Sequence, residues 1–395
     1  MTHPLYLDYA ATTPMAPEVA LAMAQCLTLE GDFANPASLQ HSLGERAYHL
    51  VETARSDIAE LLNCKANDLV FTSGATEANN LALKGLAFSP QNTRKHIITS
   101  ATEHKAILDT CHSLETQGFT VTYLKPDHNG LLNLETLLEA ITPDTFLVSL
   151  MHVNNETGVI QNIEAIAQAL QERQQAFPNH TLYFHVDAAQ SVGKLAIDLS
   201  QTPIDLLSVS AHKCYGPKGI GCLYIRNRKR QHLMPLMQGG GQEFGLRPGT
   251  LPTHQIIGMA TAFKLAAHSL EKDQQHAKQL AQLLTEQLNT LKGVHFNGDQ
   301  QQKLASIINI SFDDVGSDSL MIHLKEQLAI ANGSACNTGT IEASHVLRAM
   351  GIEGDRLYGA VRISFGRYTT AQAIQQAGHY LYNEVLRLRQ LALEL

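Results

Sequence analysis

The chain has 395 residues, of which 44% are hydrophobic and 17% are charged, and its net charge is −8. This length allows a large buried core and predicts two domains. The negative charge argues against direct binding of nucleic acid, and no apolar run is long enough to cross a membrane. No signal peptide is visible, so we expect a cytoplasmic, reducing compartment. Six scattered cysteines without a CxxC pair argue against disulfides and against a zinc site built from cysteine.

Short apolar runs alternate with helical segments over the first two thirds of the chain. The predicted strands cover residues 96–100, 120–124, 146–151, 181–186 and 204–209. The predicted helices cover residues 37–63, 77–86 and 163–176. This alternation favours an α/β fold with a mainly parallel sheet covered by helices on both faces.

The pattern changes at about residue 255. A long helical stretch at 256–291 is followed by short strands at 305–312, 328–331 and 361–365, which predicts a second, smaller α+β domain. We therefore expect a large domain at residues 12–256. Residues 1–11 and 257–395 are expected to form the small domain.

Lys213 lies in a segment that reads SVSAHKCYGPKGIG from Ser208 to Gly221. An apolar run ends just before it, and the glycines and the proline after it predict a tight loop at the end of a strand. A lysine shielded from solvent there can lose its proton and attack a carbonyl. The alternative is a lysine at the mouth of a loop, paired with a carboxylate.

A second candidate segment reads FTSGATEANN from Phe71 to Asn80 and predicts a strand end followed by the start of a helix. The free N–H groups of such a helix start suit a phosphate, and Thr76 adds a hydroxyl. Because the lysine of a P-loop and a GxGxxG pattern are both missing, the phosphate would belong to a ligand smaller than ATP or NAD. A simple N-cap is the alternative.

Other predicted strands also end in polar residues. His104 and Asn155 follow two of them, although a lone histidine is more often structural. Asp187 and Gln190 follow a third, and a carboxylate leaving the core there must be paired, for example with a protonated ring nitrogen. Together with Lys213 and the phosphate-binding helix start, these residues describe a site for pyridoxal phosphate (PLP).

The remaining candidates lie in loops and in one late strand. Asn35 begins a loop that caps a helix, and Thr250 lies in a glycine-rich loop with Arg247. Cys336 is surrounded by small and polar residues, which suits an accessible nucleophile, although an incidental loop cysteine is the alternative. Arg362 in an apolar strand suits a substrate carboxylate or an ordinary ion pair.

Eleven motifs then give the chain a resemblance to a known family, from Tyr6 to about Arg367. They are LDYAATTP, NPAS-x-x-H, TSGATEANN, TEHKA, NNETG, VDAAQSVGK, SAHKCYGPKGIG, GGGQE, RPGT, GSACNTG and VRISFGR. In this order they resemble the cysteine desulfurases of the NifS/IscS type, within the class V PLP-dependent aminotransferases. The resemblance implies a PLP-dependent transferase of fold type I that converts L-cysteine to L-alanine. The sulfur would form a persulfide on Cys336 and pass to an acceptor protein.

The resemblance also implies roles for individual residues. Lys213 carries the cofactor and serves as acid and base, Cys336 is the nucleophile, and His104 stacks on the ring. The residues implied to bind the cofactor are Ala75, Thr76, His104, Asn155, Asp187, Gln190, Ser210, His212 and Lys213, with Thr250 contributed by the partner subunit of a homodimer. The residues implied to bind the substrate are Asn35, Asn155 and Arg362. No resident metal is expected, although Cys336 could transiently contact an iron–sulfur cluster.

Some positions depart from the family pattern. Gln242, Phe244 and Pro248 differ from the usual loop, and the acidic-aromatic tail that helps dock the cluster scaffold is missing. The acceptor therefore stays open between iron–sulfur cluster assembly, tRNA thiolation and DNA phosphorothioation. The alternatives to a desulfurase are a selenocysteine lyase, another class V aminotransferase-like enzyme, a non-catalytic scaffold in a sulfur relay, or a lysine-dependent aldolase without PLP.

Overall fold

The protein is described from a computed structural model that covers residues 3–176, 181–227, 233–332 and 343–394. The strands in these ranges are β1 (Leu5–Tyr6), β2 (Leu69–Thr72), β3 (His96–Ser100), β4 (Thr120–Leu124), β5 (Thr145–Met151), β6 (Tyr183–Asp187), β7 (Leu206–Ser210), β8 (Gly221–Ile225), β9 (Val294–Asn297), β10 (Ile307–Phe312), β11 (Leu328–Ala329) and β12 (Ala360–Ser364). The helices are α1 (Pro17–Ala24), α2 (Ser42–Leu61), α3 (Ala75–Ala87), α4 (Lys105–Glu115), α5 (Leu134–Glu139), α6 (Ile163–Gln174), α7 (Thr253–Leu288), α8 (Ser317–Leu324), α9 (His345–Ala349), α10 (Gly354–Tyr358) and α11 (Ala371–Leu393).

A seven-stranded sheet carries the candidate site, with strand order β2-β8-β7-β6-β5-β3-β4. Only β8 runs antiparallel to its neighbours, β7 and β2, so the prediction of a mainly parallel sheet is confirmed. The central strands are buried along their whole length, as expected for a sheet covered on both faces. Because β5, β6 and β7 are parallel neighbours, their carboxyl ends meet at one edge of the sheet.

Helix α2 illustrates how the sequence builds the covering layer. His41 begins it as the N-cap, and its Nδ1 atom accepts a hydrogen bond of 3.0 Å from the Gly44 N–H. Its buried residues, which include Ala47, Val51 and Ile58, recur at helical spacing and pack into the core under the sheet. The predicted helix at 37–63 was therefore correct in kind but too long at its start, where Asn35 and its neighbours form a turn.

Helix α7 connects the two main cores. Ile256 and Phe263 pack into the core of the seven-stranded sheet, whereas Leu280 and Leu288 pack into a second core with the sheet β12-β10-β9. The first strand, β1, pairs with β11 and so joins the chain start to this second core. The domain boundaries at residues 12 and 256 stay a prediction.

Three strands escaped sequence analysis: the two-residue β1, and β8 and β9. β8 was taken as part of a glycine-rich loop because it begins at Gly221, and β9 is short and only partly buried. The missing signal has a physical cause, since none of these strands has the long apolar run of β5. Within the described ranges, none of the helices has the length and apolar character needed to cross a membrane.

Candidate active site

A cavity of about 600 Å³ opens at the carboxyl ends of β5, β6 and β7. The predicted site residues that line it are Ala75, Thr76, His104, Asn155, Asp187, Gln190, Ser210, His212, Lys213 and Arg362. Asn35 and Thr250 do not line it within the single chain, and both are exposed. Cys336 lies outside the described residues. The fold therefore brings ten of the predicted residues to one place.

The turn that carries Lys213 is held from both sides. The hydroxyl of Thr13 donates to the carbonyl of His212 at 2.9 Å and accepts from the N–H of Tyr215 at 2.8 Å. Tyr215 itself adopts a positive φ of 59°. Thr13 therefore holds the backbone on both sides of Lys213 through these two hydrogen bonds. They order the turn that the glycines after Lys213 predicted.

Asp187 ends β6, next to the strand that leads to Lys213. It is 4% exposed, and its carboxylate accepts from Asn79 Nδ2 at 2.8 Å and from the Ala189 N–H at 2.9 Å. These two bonds fix the carboxylate at the cavity wall. Asn79 is a site residue that sequence analysis missed, although it belongs to the TSGATEANN motif.

Two histidines of the cavity are held in the neutral form. His104 is the N-cap of α4, and its Nδ1 accepts from the Ala106 N–H at 3.1 Å, which places the proton of the neutral ring on Nε2. Burial, followed by the charge of Lys213, lowers the pKa of His104. Burial likewise lowers the pKa of His212 to about 4, with Lys213 as the next cause. A neutral ring suits stacking on a planar cofactor.

The amino end of α3 forms another wall. Its N-cap is Gly74, with φ 150° and no side-chain cap, so the first N–H groups of this 13-residue helix have no side-chain acceptor at the N-cap. A Cβ at Gly221 would lie 2.3 Å from the carbonyl oxygen of Val209 and 2.8 Å from Gly74 Cα. Only glycine therefore fits at position 221, where β8 packs against the loop at Gly74. This close contact helps to hold the start of α3 in position.

Arg362 reaches the cavity from β12, in the second sheet. It is 6% exposed, donates through Nη2 to Asp8 Oδ1 at 2.7 Å, and donates through Nη1 to the carbonyl of Asn155 at 3.0 Å. The Nε atom is buried without a hydrogen-bond partner. The ion pair considered from the sequence is therefore present, and the guanidinium keeps N–H groups beyond those that donate to Asp8 and Asn155.

Two buried carboxyl groups lie at the cavity: Glu156 lines it, and Glu103 does not. Burial raises the pKa of Glu103 well above its usual value, and its Oε2 has no partner. Burial also raises the pKa of Glu156, which accepts from the Ser344 hydroxyl at 2.5 Å. His345, the next residue, lines the cavity and contacts the Glu103 carbonyl through Nε2 at 2.9 Å.

The polar groups of this site fit PLP. A helix start without a side-chain cap suits the phosphate, a fixed carboxylate suits the ring nitrogen, and a lysine amine suits the aldehyde. The guanidinium of Arg362 lines the cavity and has N–H groups left beyond those bonded to Asp8 and Asn155, which suits the carboxylate of an amino acid. In the part of the chain that the structure describes, no group of three or more His, Cys, Asp or Glu side chains could hold a metal ion.

Known proteins resemble this chain over almost its full length. The aminotransferase class-V family matches residues 5–377. A cysteine desulfurase IscS of Vibrio vulnificus (strain YJ016) is 50% identical over 392 residues, which cover 99% of this chain and 95% of that protein. A solved NifS-like protein is 33% identical with a TM-score of 0.88 and full coverage of both chains. A solved structure titled SspA in complex with cysteine is 40% identical with a TM-score of 0.80, and the match covers 93% of this chain and 100% of that one.

The fold and the site together define a PLP-dependent transferase of fold type I. The chain belongs to the class-V aminotransferases and, within them, to the cysteine desulfurases of the NifS/IscS type.

Proposed function

We propose that this protein is a PLP-dependent cysteine desulfurase, which converts L-cysteine to L-alanine and keeps the sulfur as a persulfide on Cys336. The observation that carries the proposal is a single cavity lined by Lys213, Asp187 and Arg362. The names of the relatives support it, since one is a cysteine desulfurase and another was solved with cysteine.

Different residues of the cavity would bind different groups of the cofactor. The start of α3, with Ala75 and Thr76, would hold the phosphate together with Ser210 and His212. Asp187 would hold a proton on the ring nitrogen, because its carboxylate is fixed by two hydrogen bonds. When bound, PLP supplies an aldehyde for covalent attachment and a ring that stores the electron pair released at the substrate Cα.

The substrate is held by its carboxylate and deprotonated by a lysine. Arg362 would bind the carboxylate through its guanidinium, with the Asn155 side chain as a further donor at the cavity. Lys213 would take the proton from Cα at Nζ and return it later in the cycle. The neutral ring of His104 would cover the reacting face and exclude water.

Cys336 would accept the sulfur. The Cβ–S bond of the substrate breaks, its electron pair stays with the carbon skeleton, and a new S–S bond forms to Cys336 Sγ. Returned protons then complete alanine. Asn332 and His345, which flank residues 333–342, both line the cavity. Because Cys336 is four residues from Asn332, the chain length allows Cys336 to lie at most about 14 Å from that cavity-lining residue.

The other cysteines are poor nucleophiles. Burial raises the pKa of Cys64, Cys111 and Cys214 to about 12, and it also raises the pKa of Cys26 and Cys222. These five thiols are therefore protonated at neutral pH. This supports Cys336 as the acceptor of sulfur.

The test compares Cys336→Ser with Cys64→Ser in the holoenzyme. We expect Cys336→Ser to retain the visible absorption of bound PLP but to release no sulfide from L-cysteine, while Cys64→Ser keeps both. Sulfide and alanine are measured with a thiol reductant present. Release of sulfide by Cys336→Ser at the wild-type rate would contradict the persulfide mechanism.

The active unit is proposed to be a homodimer in which Thr250 completes the phosphate site of the partner. Thr250 is exposed and does not line the cavity of its own chain. Its loop is fixed by Glu243, which is buried and accepts from Arg55 Nη2 and from the Phe71 N–H, both at 2.6 Å. The loop therefore presents Thr250 outward in a defined conformation.

Subunit mixing tests this arrangement. Lys213→Ala and Thr250→Ala are each expected to lose activity as homodimers. Mixed dimers should regain activity, because one site then combines Lys213 with an intact Thr250 from the other subunit. Mixed dimers, identified by ultracentrifugation, that remain inactive would contradict the shared site, as would a fully active monomer.

The sulfur acceptor is proposed to be a protein rather than a nucleic acid, since the net charge of −8 opposes direct contact with phosphate backbones. Iron–sulfur cluster assembly, tRNA thiolation and DNA phosphorothioation are the candidate pathways. A cytoplasmic location suits the five free thiols of the described residues. Capture of the proteins that take radiolabelled sulfur from Cys336, combined with cell fractionation, tests both statements.

A further inference from the structure

The amide of Gln190 is held at both ends. Gln190 is 2% exposed and lines the main cavity. Its Nε2 donates to the carbonyl of Ala10 at 2.7 Å, and its Oε1 accepts from Lys194 Nζ at 2.7 Å. An amide carries two N–H bonds, and only one of them is used by Ala10. The second N–H is available to a ligand in the cavity.

Lys194 makes this orientation of the amide the only favourable one. An ammonium group donates hydrogen bonds and cannot accept them. If the amide turned over, its N–H groups would meet the lysine and its oxygen would meet the carbonyl oxygen of Ala10. With the ammonium form both contacts would be repulsive, and with the neutral amine the contact between the two oxygens still would be, so Lys194 and Ala10 together fix Gln190 as a donor toward the cavity.

The position of Lys194 is itself well defined. The side chain borders a second cavity of about 270 Å³, which Lys213 also lines, so Lys194 lies on the far side of the main site. Its backbone carbonyl accepts from Gln274 Nε2 at 2.8 Å, which ties it to α7. Burial, followed by the charge of Lys213, lowers the pKa of Lys194 to about 7. In either protonation state the amine has hydrogens to donate to Gln190.

We propose that Lys194 is a positioning residue that turns the Gln190 amide so that its free N–H donates to the ring hydroxyl of the cofactor. This assignment rests on the proposed function, and it takes the ring hydroxyl as the group of the cofactor that Gln190 contacts. A donor at the ring oxygen stabilises its ionised form and so lowers the pKa at which the bound chromophore changes its absorption. Loss of the donor raises that pKa.

The experiment is a pH titration of the visible absorption of bound PLP in the purified holoenzyme. Lys194→Met and Gln190→Leu are each expected to raise the midpoint by about one unit, the size of one hydrogen bond to an ionised group. The double variant should match Gln190→Leu alone, because Lys194 acts through that amide. Lys303→Met is the matched control: Lys303 lines the same second cavity and donates to Gln300 rather than to Gln190, so its midpoint should stay unchanged.

The double variant distinguishes two ways in which Lys194 could change the midpoint: by orienting the Gln190 amide or by its positive charge alone. If Lys194→Met raises the midpoint further in the Gln190→Leu background, the lysine acts through its charge and the proposal is wrong. A midpoint equal to that of the wild type in Lys194→Met overturns it as well. Should Lys194→Met fail to fold, Lys194→Gln keeps a polar side chain that both donates and accepts, and it should raise the midpoint in the same direction.

The same titration distinguishes this proposal from the proposed function. A protein that shows no visible band after PLP is added overturns the function. A normal band that does not respond to Lys194→Met overturns only the role of the lysine. The melting temperature of the apoprotein, measured for each variant, identifies a general loss of structure.

Discussion

Replacement of Asn79 by leucine should weaken cofactor binding without unfolding the protein. Asn79 is 1% exposed, and its Nδ2 donates to Asp187 Oδ2 at 2.8 Å. Leucine has a similar volume but cannot donate, so the carboxylate loses one of its two hydrogen bonds. A hydrogen bond to an ionised group contributes about 1.5–3 kcal/mol, which corresponds to a roughly 10- to 100-fold weaker affinity for PLP.

The stability of the apoprotein should change much less. Asn79 Oδ1 is buried without a partner, and this unsatisfied acceptor is removed by leucine. The loss of one hydrogen bond is therefore partly offset. The effect should be visible in cofactor affinity rather than in the melting temperature of the apoprotein.

Absorbance titration of the apoprotein with PLP measures the affinity, and calorimetry measures the melting temperature. Asn80→Leu is the matched control, since Asn80 lies on the same helix but donates only to the carbonyl of Thr76, at 3.0 Å. We expect the control to change PLP affinity less than threefold, as is usual for a single local hydrogen bond. An unchanged affinity in Asn79→Leu, or an equal loss in both variants, would refute the reasoning.

Three further predictions concern buried groups around the site. Glu103→Gln should leave kcat, KM and the melting temperature nearly unchanged at pH 7, because burial raises the pKa of this carboxyl well above its usual value and so favours the neutral form, and an amide oxygen can still accept from the Met151 N–H; a tenfold loss of kcat/KM would contradict this. Gly221→Ala should destabilise the protein by about 1–3 kcal/mol in denaturant titrations, since its Cβ would lie 2.3 Å from the Val209 oxygen, and an unchanged midpoint would contradict this. Burial raises the pKa of Asp205 to about 6, above its unfolded value, so this group loses its contribution to stability as the pH rises from 4 through 6. The melting temperature of Asp205→Asn should therefore rise relative to that of the wild type over this pH interval. A constant difference between the two melting temperatures would argue against the shift.

The strands of the large sheet illustrate how well local patterns predict elements. β3 and β4 have the predicted bounds, and β5 begins one residue earlier, because long apolar runs in a parallel sheet leave a strong signal. β1, β8 and β9 were missed, since a strand of two residues, one that begins in a glycine-rich loop and one that stays partly exposed all lack that signal. The ten site residues that line the cavity were found from their chemistry at strand ends and from the family motifs.

The partners of those residues were not predictable in the same way. Asn79 lies 108 positions before Asp187, and Asp8 lies 354 positions before Arg362. Their side chains carry no periodic or motif signal that assigns them to these partners. Lys194 and Gln190 are only four positions apart in the chain. The orientation of the Gln190 amide nevertheless depends also on Ala10, which comes from the start of the chain.

The sequence by itself determined the kinds of groups available, the approximate positions of most strands and helices, and the family. Only the tertiary structure decided which polar groups meet, which carboxyl groups are buried, and which N–H groups of Arg362 and Gln190 are left over for a ligand. The reason is physical: local propensity and periodicity act over a few residues, whereas these contacts depend on the order and register of strands that are distant in the chain.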